Sequence, residues 1–248
     1  MSNNFWKQFT TVLDFVFDKK KEIHLHPEII QNVELVDLAL TFHLLCPMKL
    51  MWVFEDVIRK GYVEVVDRLL QFVDPSVDNN FAIRMASLNG HVAVVDRLLR
   101  EPTNRVDPST DNNFAIRMAS LNGHVTVVDR LLQEPTNRVD PSADYTYALR
   151  FACYNGHVAV VDRLLQEPTN RVDPSDLQNA AICIASARGH VEVVYRLLQD
   201  DRVDPSAQNN FAYRYASENG HIAIMERLVQ DFRVNPTAQN KYSKINEN

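Results

Sequence analysis

The sequence predicts an all-α fold, an α-solenoid of stacked helix-turn-helix repeats joined by short extended fingers. All six glycines of the 248-residue chain occupy one recurring position, at 61, 90, 123, 156, 189 and 220. They are separated by 29, 33, 33, 33 and 31 residues. A Val-Asp-Pro-Ser motif recurs at nearly the same spacing and begins at 73, 106, 139, 172 and 203. A period of roughly 33 residues is typical of supersecondary units that stack because none buries its apolar face alone.

Neighbouring repeats share most of their sequence, and they are numbered here from the first to the sixth by their glycines. Residues 79–111 and 112–144 differ at three aligned positions, 93/126, 100/133 and 110/143. A chance periodicity would not produce this identity. The repeats are therefore duplicated sequence, and the third serves as the pattern for the others.

The third repeat predicts two short helices and a finger. Asn113 is a good N-cap for the first helix, and Gly123 ends that helix because glycine tolerates the left-handed conformation. The inward face of the first helix is predicted to consist of Ala115, Ile116 and Ala119. The apolar stripe of the second helix is predicted to consist of Val125, Val127, Val128, Leu131 and Leu132. Pro135 and Pro141 then exclude helix, so residues 134–142 are expected to form an extended turn or finger.

The motif Ala-Ser-x-x-Gly-His-Val-x-Val-Val-x-x-Leu-Leu, together with this helix-turn-helix and finger, resembles the ankyrin repeat over residues 48–234. The Thr-Pro-Leu-His opening of that family is replaced here by Phe-Ala-Ile-Arg at 81–84 and by its counterparts in later repeats. The resemblance implies a concave surface, built from first helices and finger tips, on which partner proteins bind.

The chain divides into three predicted parts. Residues 1–46 are expected to form a helical N-terminal cap, because terminal repeats need their exposed face covered. Leu-His-Pro-Glu-Ile-Ile at 25–30 and Val-Asp-Leu at 36–38 also make residues 25–46 similar to an F-box, the module that links substrate receptors to cullin-type ubiquitin ligases. Residues 47–240 are predicted to be a domain of about six repeats. Residues 241–248 open a seventh repeat that stops early, and this truncated end is expected to fray.

Composition narrows the possible partners. A net charge of −6 argues against nucleic acid, because phosphate binding needs clustered cations. The three cysteines form no CxxC pair, which excludes a disulfide framework and a four-cysteine zinc site. Charged residues interrupt the most apolar stretch, residues 35–58, and residues 1–17 lack the pattern of a secretory signal. We therefore expect a cytoplasmic protein that does not bind a membrane and is a monomer.

No motif predicts catalysis, a cofactor or a metal. Five glycines are followed by histidine, but neighbouring repeats would separate these side chains by about 8–10 Å, too far to share an ion. A structural hydrogen bond at the inter-helix turn is the preferred interpretation. Cys153 and Cys183 interrupt repeat positions held by serine and arginine, and neither has an evident base nearby in sequence. The repeats account for every glycine, so no phosphate-binding glycine loop remains.

Positions that vary within a constant framework are the best candidates for partner binding. They fall at the finger tips, two places before the glycine, and around a cluster of tyrosines in the fourth repeat. The predicted partner-binding residues are Asp78, Leu88, Asp111, Leu121, Tyr145, Tyr147, Tyr154, Leu177, Arg188, Gln208 and Glu218. Leu88 and Leu121 have an alternative interpretation, since they could pack against neighbouring repeats instead.

A series of arginines also has two interpretations. Its members are Arg84, Arg117, Arg150 and Arg214. They could form a recognition ladder for acidic groups. They could equally form a solvated salt-bridge face with Asp96, Asp129 and Asp162.

The sequence therefore predicts a non-catalytic module that binds a partner protein through the concave face and finger tips. The alternative is a substrate receptor of a cullin-type ubiquitin ligase, which would contact the ligase adaptor through its F-box-like segment. Residues 61–240 contain no lysine, which would protect such a receptor from self-modification. Shared ancestry of the duplicated repeats explains the missing lysines as well.

Overall fold

The computed structural model describes residues 47–101, 106–134, 139–167 and 171–237, and this part of the chain contains twelve helices and no β-strand. The first helices of the repeats are α1 (Pro47–Lys60), α3 (Val77–Leu88), α5 (Thr110–Leu121), α7 (Ala143–Asn155), α9 (Asp176–Arg188) and α11 (Ala207–Glu218). The second helices are α2 (Val63–Leu69), α4 (Val92–Leu99), α6 (Val125–Leu132), α8 (Val158–Leu165), α10 (Val191–Leu197) and α12 (Ile222–Leu228). The predicted all-α fold class is confirmed.

The described residues fall into two compact units, divided between Thr110 and Asp111. Helices α1 to α4 belong to the first unit, and α5 from its second residue onwards and α6 to α12 belong to the second. The predicted N-terminal cap, its F-box-like segment 25–46 and the seventh repeat lie outside the described residues. In the part of the chain that the structure describes, no helix has the length and apolar character needed to cross a membrane.

Burial follows the predicted apolar pattern. In the third repeat Ala115, Ile116 and Ala119 of α5 are fully buried, as are Val127, Val128 and Leu131 of α6. Three-residue and four-residue spacing places each set on one helix face, which packs against the adjacent helix. Gly156 ends α7 in the left-handed conformation, and the His157 N–H donates to the Ala152 carbonyl at 2.9 Å across it. This geometry is a Schellman-type cap.

The first helices open in an unexpected way. The second, third and fourth residues of α3, α5, α7, α9 and α11 have positive φ, for example 56°, 54° and 58° at Asp111, Asn112 and Asn113. We call these three-residue segments the left-handed turns: residues 78–80, 111–113, 144–146, 177–179 and 208–210. Asp and Asn adopt this conformation more readily than other non-glycine residues.

The left-handed turns change the role of the asparagines predicted as helix N-caps. The Asn113 side-chain carbonyl accepts a hydrogen bond from the Asp140 N–H at 2.7 Å, in the finger that leads to the next repeat. Asn179 accepts from the Asp204 N–H in the same way, also at 2.7 Å. Because the left-handed backbone directs each amide towards the following repeat, these asparagines join repeats together. The prediction that these asparagines cap the first helices is therefore wrong, but the position still has a structural role.

The Val-Asp-Pro-Ser motif shapes each finger. In the copy at 139–142, Asp140 Oδ1 accepts hydrogen bonds from the Ser142 N–H at 2.9 Å and from the Ser142 hydroxyl at 2.6 Å. This arrangement is an Asx-type turn with Pro141 at its centre, where the fixed φ of proline favours the bend. Val139 anchors the finger because it is buried.

Candidate functional site

The histidines that follow the glycines have a structural role. His157 Nε2 lies 2.9 Å from the Leu121 carbonyl, and His190 Nε2 lies 2.9 Å from the Tyr154 carbonyl. Since a carbonyl only accepts, Nε2 must carry the proton. The bond reaches the preceding repeat, so it does not stay within the inter-helix turn that the sequence predicted.

The cysteines are poor nucleophiles. Cys153 is fully buried, and burial raises the pKa of its thiol far above the ordinary value. Burial also raises the pKa of Cys183 to about 11. The thiolate is the reactive form of cysteine, and at neutral pH neither side chain supplies it. Among the described residues no three His, Cys, Asp or Glu side chains cluster closely enough to hold a metal ion.

The arginine series serves the left-handed turns. Arg117 Nη2 donates to the Asp111 carbonyl at 3.2 Å, and Arg150 Nη2 donates to the Asp144 carbonyl at 3.0 Å. The aspartates of the predicted salt-bridge face have different partners. Asp129 pairs with Arg163 and Asp162 with Arg196, each at 2.6 Å and each between second helices of adjacent repeats. The predicted pairing of the two series is therefore wrong, because they lie on different helices.

Most of the predicted partner-binding residues are accessible. The exposed ones are Asp78, Asp111, Tyr145, Tyr154, Leu177, Arg188, Gln208 and Glu218. The half-buried ones are Leu88, Leu121 and Tyr147. Tyr147 packs edge-to-face against Phe151 with ring centroids 4.0 Å apart, and the Arg150 guanidinium covers its ring at 4.7 Å. Its side chain is thus engaged within its own repeat.

The residues predicted at finger tips belong to the left-handed turns. Asp111, Leu177 and Gln208 are the first residues of their turns, and Tyr145 is the second of its own. Leucine, glutamine and tyrosine adopt positive φ at a cost, so their presence there is a feature of the fourth, fifth and sixth repeats. Gln208 Nε2 donates to the Gln178 carbonyl at 3.1 Å, which links two successive turns.

The second compact unit contains a groove across α7, α9 and α11 with a volume of about 380 Å³. Three predicted residues lie in its wall: Tyr154, Arg188 and Gln208. The remaining lining residues are Ala180, Cys183, Ile184, Ala187, Phe211 and Tyr215. We call this feature the α9 groove, because α9 forms its floor.

Small residues in the fifth repeat create the α9 groove. Ala180 stands where the second, third, fourth and sixth repeats have Phe or Tyr. Cys183 stands where they have arginine, and Ala187 stands where the second to fourth repeats have leucine or tyrosine. Positions 180, 183 and 187 share one face of a helix. The loss of three large side chains from that face leaves a hollow between Tyr154 on one side and Phe211 and Tyr215 on the other.

Arg188 is the cation of the α9 groove. Its guanidinium lies 3.7 Å from the centre of the Tyr154 ring, the distance of a stacked cation–π contact. The other repeats with this pattern have asparagine at this position: Asn89, Asn122, Asn155 and Asn219. Within the described ranges no carboxylate lies at salt-bridge distance from Arg188, whereas Arg163 and Arg196 each have an aspartate.

Sequence reasoning did not select Phe211, Tyr215, Ile184, Cys183 or Ala180 as site residues. The available signal was the coincidence of several departures from the repeat pattern in one first helix. Each departure alone resembles drift between duplicated repeats. Only their common helix face, flanked by aromatic residues of two neighbouring repeats, indicates a groove.

Comparison with known proteins agrees with this architecture. A family model described as ankyrin repeats (3 copies) matches residues 149–240. The crystal structure of the human ASB11 ankyrin repeat domain superposes with a TM-score of 0.63 at 19% identity, covering 76% of this chain and 86% of that one. An ankyrin repeat domain from Acinetobacter baumannii AYE superposes with a TM-score of 0.55 at 15% identity, covering 73% and 97%. No curated protein matches the sequence.

The agreement extends from the repeat motif to the fold. Residues 149–240 contain the fourth, fifth and sixth glycines and the whole of the α9 groove. The structural matches cover about three-quarters of the chain. Residues 149–240 therefore match the sequence pattern of ankyrin repeats, and the described helices have the fold of an ankyrin repeat domain.

Proposed function

We propose that this chain is a non-catalytic interaction module that binds a partner protein through the first helices and left-handed turns of its second compact unit. Ankyrin repeats are generally protein–protein interaction modules. The observation that supports this proposal for the present chain is the α9 groove, a hollow lined mainly by carbon and bordered by the exposed Tyr154 and Arg188. Tyr and Arg are enriched among the residues that dominate binding energy. We place the interaction in the cytoplasm.

Affinity capture from cell extract tests the proposal. The full chain serves as bait beside two variants, Tyr154→Ala and Tyr195→Ala. Tyr195 is the matched control because it is 40% exposed, against 43% for Tyr154, and also has an arginine, Arg227, over its ring. It lies on a second helix outside the groove. We expect partners of the wild-type chain to be lost with Tyr154→Ala and retained with Tyr195→Ala. Equal capture by all three baits would contradict the proposed surface.

A second candidate function is a substrate receptor of a cullin-type ubiquitin ligase. The observation that favours it is the absence of lysine from residues 61–240. Such a receptor would bind the ligase adaptor through residues 25–46 and its substrate through the repeats. Recovery of a ligase adaptor with the full chain, and its loss with Leu25→Asp and Leu38→Asp combined, would support this function. Capture of the same proteins by both baits, without an adaptor, would exclude it.

A further inference from the structure

The α9 groove combines an apolar hollow with a charged rim. Its floor and far wall are apolar, formed by Ala180, Ile184 and Ala187 beneath Phe211 and Tyr215. The rings of Phe211 and Tyr215 lie edge-to-face with centroids 4.2 Å apart, which gives that wall a fixed shape. An apolar side chain entering this hollow would remove carbon surface from water on both partners.

The near wall carries a positive charge that the described chain does not neutralise. Arg188 is exposed, stacked on Tyr154, and has no carboxylate at salt-bridge distance within the described residues. Stacking holds the plane of the guanidinium and leaves its N–H groups free to donate within that plane. A carboxylate supplied by a partner would therefore meet a donor that is already oriented.

The groove is open along the surface, which bears on the size of its occupant. Sites for small molecules bury most of the ligand in a cleft of roughly 300–1,000 Å³. A hollow of about 380 Å³ whose rim residues Tyr154, Arg188 and Gln208 are exposed covers only one side of what it holds. A segment of a larger molecule meets this geometry better, because its remaining contacts are made elsewhere on the surface.

We propose that the α9 groove binds a segment of a partner protein that places one apolar side chain between Ala187 and Phe211 and an adjacent carboxylate at Arg188. This inference rests on the proposed function and names the chemistry of the partner. The charge of the segment follows from the cation on the rim. Its apolar residue follows from the carbon lining of the hollow.

Selection from a phage-displayed library of random peptides tests the inference with the immobilised full chain. We expect enriched sequences in which Asp or Glu lies within a few residues of an aliphatic or aromatic residue. Arg188→Asn restores the residue of the other repeats and should reduce the retention of these peptides about tenfold, the loss expected for one charge-assisted hydrogen bond. Ala187→Leu restores the leucine of the second and third repeats, fills the hollow and should abolish retention.

A further variant controls for the position of the charge. Arg188→Asn combined with Asn219→Arg moves the arginine one repeat along, away from the hollow, and keeps the net charge constant. It should not recover the selected peptides. Circular dichroism checks that every variant is helical, which is expected because each substitution introduces a residue that another repeat already has at that position.

The outcomes separate this inference from the proposed function. Acidic–apolar peptides that depend on both Arg188 and Ala187 support it. Enrichment of peptides without acidic residues, no enrichment at all, or enrichment that Arg188→Asn leaves unchanged overturns it. If the selection fails while affinity capture still depends on Tyr154, the proposed function stands and only the chemistry of the groove is wrong. If both experiments fail, the surface itself is wrong.

Discussion

A Cβ atom on Gly123 would lie 2.6 Å from Nδ1 of His157, the histidine of the following repeat. Gly156 has the same relationship with His190, also at 2.6 Å, whereas no atom of the described residues lies within 4 Å of the corresponding position on Gly220. Each of these glycines also has φ between 73° and 80°. The Gly-His motif thus meets two demands, a left-handed helix end and space for the imidazole of the next repeat.

Replacing glycine with alanine should separate the two demands. Gly220→Ala adds only the cost of a left-handed alanine, about 1 kcal/mol. Gly123→Ala adds that cost and also displaces the His157 ring from its hydrogen bond with the Leu121 carbonyl, for a total of about 2–4 kcal/mol. Urea unfolding measured by circular dichroism gives both losses. Equal destabilisation by the two variants would contradict a close contact between Gly123 and His157.

The sequence predicted the fold because its signal repeats. The glycine period, the capping position of Gly123 and the valine–leucine stripe of α6 each recur. The structure confirms the first two and buries Val127, Val128 and Leu131 of the stripe, whereas Val125 and Leu132 are half-buried. The cap and the stripe can each be read within a single repeat. The carbonyl that His157 contacts belongs to the preceding repeat, and a single-repeat pattern does not identify it.

The candidate groove was only partly predictable for the same reason. Tyr154, Arg188 and Gln208 were selected because they vary, but variation does not tell which residues meet in space. The α9 groove depends on what is missing from α9, and a small residue gives no signal until its neighbours in adjacent repeats are known. Likewise, Asn113 is a residue type that N-caps prefer, and only the left-handed backbone around it directs its amide to Asp140.

Thr146→Asn should stabilise the protein. Thr146 is the only β-branched residue in the left-handed turns, at φ 53°, and its hydroxyl donates to the Tyr145 carbonyl. Asparagine adopts this conformation more readily and supplies the amide that Asn113 and Asn179 use to accept a finger N–H. We expect a gain of about 1 kcal/mol, or a rise of about 2–4 °C in Tm, measured by differential scanning calorimetry.

The reverse substitution controls this prediction. Asn113→Thr places a β-branched residue at φ 58° and removes the bond from the Asp140 N–H, so it should lower the stability by at least as much. A stabilising or neutral Asn113→Thr would show that the left-handed turns do not select asparagine.

The buried serines of the first helices should be replaceable by apolar residues. Ser120 is fully buried, and its hydroxyl has no hydrogen-bond partner among the described residues. The fourth repeat has Cys153 at the same position, fully buried as well. Ser120→Cys should therefore be neutral or stabilising, and Cys153→Ser should cost about 1 kcal/mol by burying a new hydroxyl. Chemical denaturation of the two variants measures both effects, and a stabilising Cys153→Ser would be inconsistent with this explanation.

The titration of His190 should report on the α9 groove. Burial lowers the pKa of His190 below its ordinary value of 6.5, and the charges of Arg188 and His221 lower it further. Between that lowered pKa and 6.5 the unfolded chain binds more protons than the folded one, so the contribution of His190 to stability is lost as the pH falls through this interval.

Arg188→Asn removes one of the two repulsive charges and should raise the pKa of His190 towards 6.5 without restoring it, because burial is the larger cause. NMR titration of the imidazole measures both values, and an unchanged midpoint in Arg188→Asn would mean that the guanidinium does not lie beside the ring. Binding of an acidic segment at Arg188 should raise the pKa of His190 in the wild-type chain for the same electrostatic reason.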